Sequence, residues 1–171
     1  MILVVGLGNP GKQYEKTRHN VGSRIVDELH SSPHFATARI IKELAKDKKE
    51  GVVLAQPHSF MNDSGQAVKK LMGFYKLKSE NLWVIHDDAD LPIGEIKIVK
   101  NRGSAGHKGV QSIIEELKTK DFNRIRIGIQ PKTGKPKTLE KFVLQNFTKD
   151  EERLIKKAVE GTIQTINNIN K

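Results

Sequence analysis

The sequence contains no cysteine among its 171 residues. This absence excludes a disulfide framework, and it excludes any catalytic thiol or thiolate site. A chain of this length buries about 70% of its unfolded surface on folding, so it needs no covalent staples to be stable. The length and the missing cysteines together predict one domain of enzyme size.

Long apolar runs are also missing. No uninterrupted hydrophobic stretch approaches the ~18 to 20 residues that a membrane-spanning helix needs. The start of the chain lacks the charged segment followed by an apolar segment that marks a secretory leader. We therefore expect a soluble cytoplasmic protein that has no membrane partner.

Acidic residues are scarce in one part of the chain only. Residues 97–137 carry 11 basic and 3 acidic side chains, whereas the formal net charge of the whole protein is +10. Such a concentrated positive field attracts polyanions, because their counterions are released on binding. Nucleic acid is therefore the leading class of partner, and the alternative is a solvated lysine-rich face that only keeps the protein in solution.

The opening stretch, residues 2–22, combines a buried strand with a polar loop. The β-branched run from Ile2 to Val5 leads into glycines and a proline, which is typical of a strand that stops at a loop. Polar side chains then accumulate up to position 20, where a new apolar period begins at Val21. Loops at the ends of buried strands are where α/β proteins place their sites.

Three glycines of this loop, Gly6, Gly8 and Gly11, fit the pattern G-x-G-x-x-G of dinucleotide-binding proteins. In such proteins the helix begins inside the glycines, so that its N-terminus faces the pyrophosphate. Here Pro10 and the polar run 12–20 delay the helical period, and the acidic residues Asp27 and Glu28 lie inside the helical pattern and not at the end of a second strand. The pattern therefore does not indicate a dinucleotide site.

Strands and helices alternate along the rest of the chain. After a first helix that ends near residue 29, extended stretches at 37–41 and 51–55 bracket a charged turn at 46–50, which predicts a hairpin-like pair. Apolar spacing predicts helices over 67–75, 110–117 and from 148 onward, and strands over 82–85, 93–99 and 124–129. The strand at 93–99 follows its predecessor too closely for a helical crossover. We therefore predict a single-domain α/β three-layer sandwich, with a mixed, mostly parallel sheet and helices on both faces.

Polar residues at the ends of the predicted strands supply a candidate catalytic pair. A water-activating histidine needs a carboxylate on its second nitrogen, which fixes the tautomer and supports the imidazolium that forms. His19 and Asp87 follow two different predicted strands and could meet in this way. The competing interpretation is that His19 is an ordinary surface histidine.

Simpler interpretations exist for the other candidates. Asn9 precedes Pro10 and is typical of a turn, and Asn62 is typical of a helix N-cap. The acidic run 87–90 lacks the spaced oxygen donors of a calcium loop, so a metal site is not predicted there. His107 and Lys108 are either ordinary residues of a first helical turn or, since cations are disfavoured at a helix N-terminus, binders of an anion.

Five motifs, GLGNPGKQYEKTRHNVG, SFMNDSG, HDDADLPIG, GSAGHKG and FNRIRIGI, occur in this order and span nearly the whole chain. Together they resemble bacterial peptidyl-tRNA hydrolases. The resemblance implies hydrolysis of the ester that joins a nascent peptide to the 3′ ribose of tRNA, without metal or cofactor. This reaction recycles tRNA from stalled translation.

The resemblance also implies roles for individual residues. His19 falls on the family's catalytic histidine, Asp87 on its carboxylate partner, and Asn9 on an asparagine that contacts the scissile ester. Asn62 falls on a peptide-binding asparagine, and Phe60 and Met61 fall in the segment beside the peptide cleft. We also predict that Tyr14, His107 and Lys108 contact the substrate. The tRNA-binding positions are Arg126, with Lys100 and Arg102 beside it in the basic segment.

One position departs from the family pattern. The family usually has GHNG, with an asparagine that positions water or substrate, but this chain has Lys108 after His107. We expect a monomer that acts on peptidyl-tRNA as its partner. The alternative is a noncatalytic RNA-binding relative, such as the family members of plant organelles that act in splicing, and the intact Asn9, His19 and Asp87 argue against it.

Overall fold

The strand that opens the chain, β1 (Ile2–Gly6), lies inside the sheet and is apolar on both faces. In the computed structural model, which describes residues 1–31, 40–41 and 51–169, β1 pairs in parallel with a strand on each side. Its side chains alternate between two cores, Val4 toward one and Leu3 and Val5 toward the other. A strand covered on both faces reads as a continuous hydrophobic run, as this one does.

The sheet contains six strands in the order β2-β3-β1-β4-β6-β5. The other strands are β2 (Ile40–Ile41), β3 (Val52–Ala55), β4 (Leu82–Pro92), β5 (Ile96–Lys100) and β6 (Asn123–Gln130). All neighbours are parallel except β5, which runs antiparallel to β6 at the sheet edge. The prediction of a mixed, mostly parallel sheet is confirmed.

Helices cover both faces of the sheet. They are α1 (Val21–Ser31), α2 (Ser64–Tyr75), α3 (Lys108–Leu117), α4 (Leu139–Val143) and α5 (Lys149–Ile169). Apolar residues of α1, α4 and α5 form one core with the sheet, and those of α2 and α3 form the second. The predicted three-layer α/β arrangement is therefore confirmed. Helix α5 begins with a capping box, in which the Glu151 N–H donates to Thr148 Oγ1.

The predicted hairpin-like pair is wrong. Strands β2 and β3 lie side by side but in parallel, with Ile40 opposite Leu54. The charged turn 46–50 and positions 37–39 fall outside the described residues. Composition and alternation predict that two segments are extended, but they do not determine their relative direction, which here places β3 parallel to β1 as well.

Two further elements differ from the prediction. Strand β4 does not end at residue 85 but continues through His86, Asp87 and Asp88, which pair with successive residues of β6. The polar cluster therefore lies within a paired strand and is held by its hydrogen bonds. Helix α4 was not predicted, since its five residues are too few for a helical period to be recognised.

None of the helices in the described parts of the chain combines the length and the apolar character that a membrane crossing requires.

Candidate functional site

A cleft of about 730 Å³ opens where the first loop, β4 and the N-terminus of α3 meet. Crevices beyond the carboxyl ends of parallel strands are the usual ligand sites of such sheets. Eight of the residues predicted from the sequence line the cleft: Asn9, His19, Phe60, Met61, Asn62, Asp87, His107 and Lys108. Side chains from four separate segments of the chain are therefore brought to one place.

His19 and Asp87 form the predicted pair. His19 lies in a short 3₁₀ turn, residues 18–20, immediately before α1. Helix α1 packs tightly on β4, because a Cβ atom at Gly22 would stand 2.1 Å from the Ile85 carbonyl oxygen. This close approach brings His19 Nδ1 within 2.8 Å of Asp87 Oδ1. An ionised Asp87 accepts a hydrogen bond from the Nδ1–H group of His19, so the proton of a neutral His19 is on Nδ1 and its Nε2 lone pair is available as a base.

A second imidazole binds the same carboxylate oxygen. His107 Nε2 lies 2.9 Å from Asp87 Oδ1, and its Nδ1 accepts a hydrogen bond from the Val110 N–H at the start of α3. Because Nδ1 is an acceptor there, the proton of a neutral His107 is on Nε2, which donates to Asp87. The His107 side chain is therefore both the N-cap of α3 and a fixed partner of Asp87.

The charge of Asp87 is stabilised inside the protein. Burial alone would raise the pKa of this carboxyl, but the two imidazoles and their hydrogen bonds outweigh burial and hold its pKa far below the usual range. Burial likewise disfavours the imidazolium form of His19. Asp87 more than offsets this effect, so the pKa of His19 is raised above 6.5, while the positive charge of Lys108 opposes the increase.

His86 is part of the cluster and was not among the predicted site residues. It is 2% exposed, its Nδ1 donates to the Asp87 carbonyl oxygen, and its ring meets the His107 ring at a centroid distance of 4.7 Å. Burial, and then the neighbouring His107, lower the pKa of His86 well below the ordinary value, so it is neutral. Its position next to Asp87 in the sequence was a signal, but a histidine in a strand is usually a packing residue.

Asn9 is held in a defined orientation by two other loops. Its backbone N–H donates to Asn20 Oδ1, and Asn20 Nδ2 donates to its carbonyl oxygen. The Met61 N–H donates to Asn9 Oδ1 at 2.9 Å. Only an oxygen can accept that bond, so the Nδ2 amide group of Asn9 must be the atom that is left to donate. Asn9 is thus more than a turn residue, because it connects loops that are 52 positions apart.

The rim of the cleft is partly apolar. Phe60 is 54% exposed although it is a large aromatic residue, and Leu144 of the opposite wall is 47% exposed. Asn62 is exposed and caps neither of the neighbouring helices, so its interpretation as an N-cap is wrong. Lys108 extends from the first turn of α3 and donates to Glu140 Oε1 at 2.8 Å.

Four predicted residues do not line the cleft. Tyr14 lies in a 3₁₀ turn, where its carbonyl oxygen accepts from Thr17, and a substrate contact by its side chain stays a prediction. Arg126 donates through Nε to Asp88 Oδ2 and is 19% exposed at its side chain. Lys100 and Arg102 are exposed, and the Nζ atom of Lys100 lies 3.6 Å from Asp121 Oδ1.

Within the described residues, one group of side chains has the spacing of a cation site. His19, Asp87 and His107 place ligand atoms within 4.8 Å of one another. Both histidines form a hydrogen bond to Asp87 Oδ1 through a ring nitrogen, so hydrogen bonding accounts for the close approach of these three side chains. Asp88 and Asp90, which follow in the acidic run, are paired instead with Arg126 and Lys135.

The chain is similar to proteins of one family over nearly its whole length. The model of the family described as peptidyl-tRNA hydrolase matches residues 3–171. The chain is 46% identical to the peptidyl-tRNA hydrolase of Thermodesulfovibrio yellowstonii, over 97% of this chain and 90% of that protein. It is 43% identical to that of Aquifex aeolicus, over 96% and 87%. The crystal structure of peptidyl-tRNA hydrolase from Acinetobacter baumannii has a TM-score of 0.82 at 30% identity, covering 97% of this chain and 86% of that one.

Proposed function

Since the chain belongs to the peptidyl-tRNA hydrolase family, we propose that it hydrolyses the ester between a peptide, or an N-acylated aminoacyl group, and the 3′ ribose of tRNA. The observation that carries the chemistry is the 2.8 Å hydrogen bond from His19 Nδ1 to Asp87 Oδ1 inside the cleft. An ester is cleaved by water once a base removes a proton from that water. In our proposal, His19 is that base. We also propose that residues 1–171 form one catalytic domain.

The reaction proceeds in one displacement. His19 Nε2 takes a proton from water as the water oxygen attacks the ester carbonyl, and Asp87 stabilises the imidazolium that results. The same imidazolium then donates its proton to the departing ribose oxygen. No covalent intermediate is needed, and His107 supports the reaction by holding the Asp87 carboxylate in place.

Asn9 supplies the complementary charge stabilisation. Its Nδ2 group is directed by the bond from the Met61 N–H to Oδ1, so it offers N–H donors that do not need to reorganise during the reaction. Donors of this kind stabilise the oxyanion that develops as water adds to a carbonyl. Phe60, Met61 and Asn62 border the same cleft and are proposed to contact the peptide, and Tyr14 is proposed to contact the substrate from the first loop.

The proposed activity is tested with an N-acetylated aminoacyl-tRNA. The wild-type protein is expected to release the N-acetylamino acid and intact tRNA in many turnovers. A purely RNA-binding relative would instead bind the tRNA and release nothing, and that result would refute the proposal.

We also propose that the protein is a monomer and lies in the cytoplasm. Analytical ultracentrifugation of the free protein checks the monomeric state, and fractionation of the source cells checks the cytoplasmic location.

We assign the tRNA backbone to the basic segment, residues 97–137. Arg126, Lys100 and Arg102 are the proposed phosphate contacts, since guanidinium groups recognise phosphate well and the local charge excess attracts a polyanion. Arg126 already donates one hydrogen bond to Asp88 through Nε. This bond orients the guanidinium while its two terminal nitrogens are proposed to meet the phosphate.

Arg126→Ala is expected to weaken tRNA binding and to reduce the slope of log K against log salt by about one, as expected for one lost phosphate contact. Fluorescence titration of labelled tRNA at several salt concentrations measures both quantities. Arg153→Ala is the matched control, because Arg153 is an arginine of α5 that is 81% exposed at its side chain. If affinity and slope in Arg126→Ala equalled those of the wild type, the assignment of this surface would fail.

Lys108→Asn restores the residue that the family pattern has. Lys108 lowers the pKa of His19, so its removal should raise that pKa. A base works only when neutral, so the acidic limb of the kcat/KM profile should move to higher pH. Lys108 is 64% exposed at its side chain, and solvent screening keeps the movement well under about one pH unit.

The same variant tests a second role, in which the Lys108 ammonium binds the terminal phosphates of tRNA at the N-terminus of α3. That role predicts a salt-sensitive increase in KM without movement of the pH profile. Lys69→Asn is the control, since Lys69 forms a comparable exposed ion pair with Glu116 on α3. A variant that matched the wild type in KM, salt dependence and pH profile would remove both roles.

A further inference from the structure

Arg18 immediately precedes His19 and is buried, with only 5% of its side chain exposed. Burying a guanidinium is costly unless charged and hydrogen-bonding partners surround it. This arginine does not line the cleft. Its partners therefore indicate what it holds.

Both terminal nitrogens of Arg18 bind the same distant part of the chain. Nη1 donates to the Asn146 carbonyl oxygen at 2.8 Å, and Nη2 donates to Glu151 Oε2 at 2.7 Å. That Glu151 oxygen also accepts the Thr148 N–H at the start of α5. One carboxylate oxygen thus joins the guanidinium to the N-cap of a helix, and these bonds help to lower the pKa of Glu151 against the effect of burial.

The guanidinium also packs on two aromatic rings of that segment. Its central carbon lies 4.2 Å from the centroid of the Phe142 ring and 5.4 Å from that of Phe147. The backbone is joined as well, since the Arg18 N–H donates to the Gln145 carbonyl oxygen at 3.0 Å. Every one of these contacts links the turn that carries His19 to residues 142–151.

Residues 139–147, which we call the α4 wall, form one side of the cleft. Leu139, Glu140, Val143 and Leu144 line it. The three apolar residues among them present a surface that suits an apolar acyl group. The contacts of Arg18 contribute to the position of this wall relative to His19, together with the bridge between Thr17 and Asn146 and the burial of Val143 and Phe147 in the core.

We propose that Arg18 is a positioning residue that fixes the α4 wall against the His19 turn and so sets the width of the cleft for the acyl group of the substrate. This inference rests on the proposed function. His19, Asp87 and Asn9 are held by other contacts, so a displaced wall weakens substrate binding more than it slows the chemical step.

Arg24 provides a matched control, because it also binds a glutamate in the first turn of α5. It lies in α1 and binds Glu152 of α5 through both terminal nitrogens, at 2.9 and 2.8 Å. It therefore joins α1 to α5 by a two-bond ion pair, and its hydrogen bonds and ion pairs among the described residues go to Glu152 and Glu28 and not to the α4 wall. Any effect of merely loosening α1 from α5 should appear in both variants.

The test compares Arg18→Met with Arg24→Met in the hydrolysis of N-acetyl-leucyl-tRNA. Arg18→Met should raise KM about tenfold and leave kcat within about threefold, because lost ground-state binding appears in KM. Arg24→Met should leave both constants unchanged. Arg18→Lys keeps the charge but loses the planar guanidinium that binds Asn146 and Glu151 through separate nitrogens and packs on the Phe142 ring, so it should not restore KM.

Phe142→Leu is the milder variant if Arg18→Met does not fold, since it removes the ring without leaving a buried charge unpaired. It should raise KM in the same direction. The proposal is overturned if Arg18→Met and Phe142→Leu keep the wild-type KM, if Arg24→Met raises KM equally, or if kcat alone falls.

A wild-type protein without turnover would refute the proposed function. The positioning role of Arg18 would then be tested by a separate measurement. Hydrogen exchange of the amides at 142–147 should then be faster in Arg18→Met than in Arg24→Met. Equal protection of these amides from exchange in the two variants would overturn the positioning role of Arg18.

Discussion

A folded His19→Ala protein is expected to hydrolyse peptidyl-tRNA about 100- to 10,000-fold more slowly than the wild type, which is the usual contribution of a positioned general base. The loss should appear in kcat under single-turnover conditions. His19 supplies the only proposed proton acceptor at the attacking water, while the basic segment that binds tRNA is untouched. Affinity for tRNA should therefore stay close to that of the wild type.

His30→Ala is the matched control for this variant. His30 also belongs to the first helical region, but it is exposed near the end of α1 and does not line the cleft. It should retain wild-type turnover. If His19→Ala were folded by circular dichroism and turned over at the wild-type rate, His19 would not be the base.

Asp87→Asn should cost on the order of 10³- to 10⁴-fold in kcat/KM, comparable to the loss of the carboxylate in other His–Asp sites. Asp87 Oδ1 accepts hydrogen bonds from His19 and His107 at 2.8 and 2.9 Å. A neutral amide removes the negative charge that stabilises the imidazolium and offers N–H groups where only an acceptor fits. The tautomer of His19 is then no longer fixed.

The pH profile separates this explanation from simple misfolding. The negative charge of Asp87 raises the pKa of His19, so removing it must lower that pKa. His19 would then stay neutral to lower pH, and the residual activity of Asp87→Asn should have its acidic limb at lower pH than the wild type. An unchanged limb in a folded variant would show that Asp87 does not act through His19.

The sequence is sufficient to predict most of the helices and strands and the meeting of His19 with Asp87. Buried strands and amphipathic helices have distinct periods, so β1, β6, α2, α3 and α5 were recognisable. His19 and Asp87 were predicted to meet because both follow strands of one sheet, and they do. The motif resemblance added Phe60, Met61 and Asn62, which lie at the same cleft.

The remaining features depend on tertiary contacts that no local pattern encodes. Strand β4 extends to Pro92 because β6 pairs with it, and the direction of β2 follows from β3 and not from the composition of the turn. His86 joins the site because its ring donates to the Asp87 carbonyl oxygen. Asn20 does so because its Oδ1 accepts the Asn9 N–H. Arg18 lies in the first polar loop, but its side chain donates hydrogen bonds to residues that are 128 and 133 positions away.

An NMR titration of the His19 imidazole in the wild-type protein, compared with the acidic limb of its kcat/KM profile, tests most directly whether His19 is the base. We expect the pKa of His19 to lie above 6.5, because Asp87 outweighs burial. The acidic limb of the kinetic profile should have the same midpoint. A His19 that titrates below 6.5, or a kinetic limb that follows a different group, would contradict the claim that His19 held by Asp87 is the base.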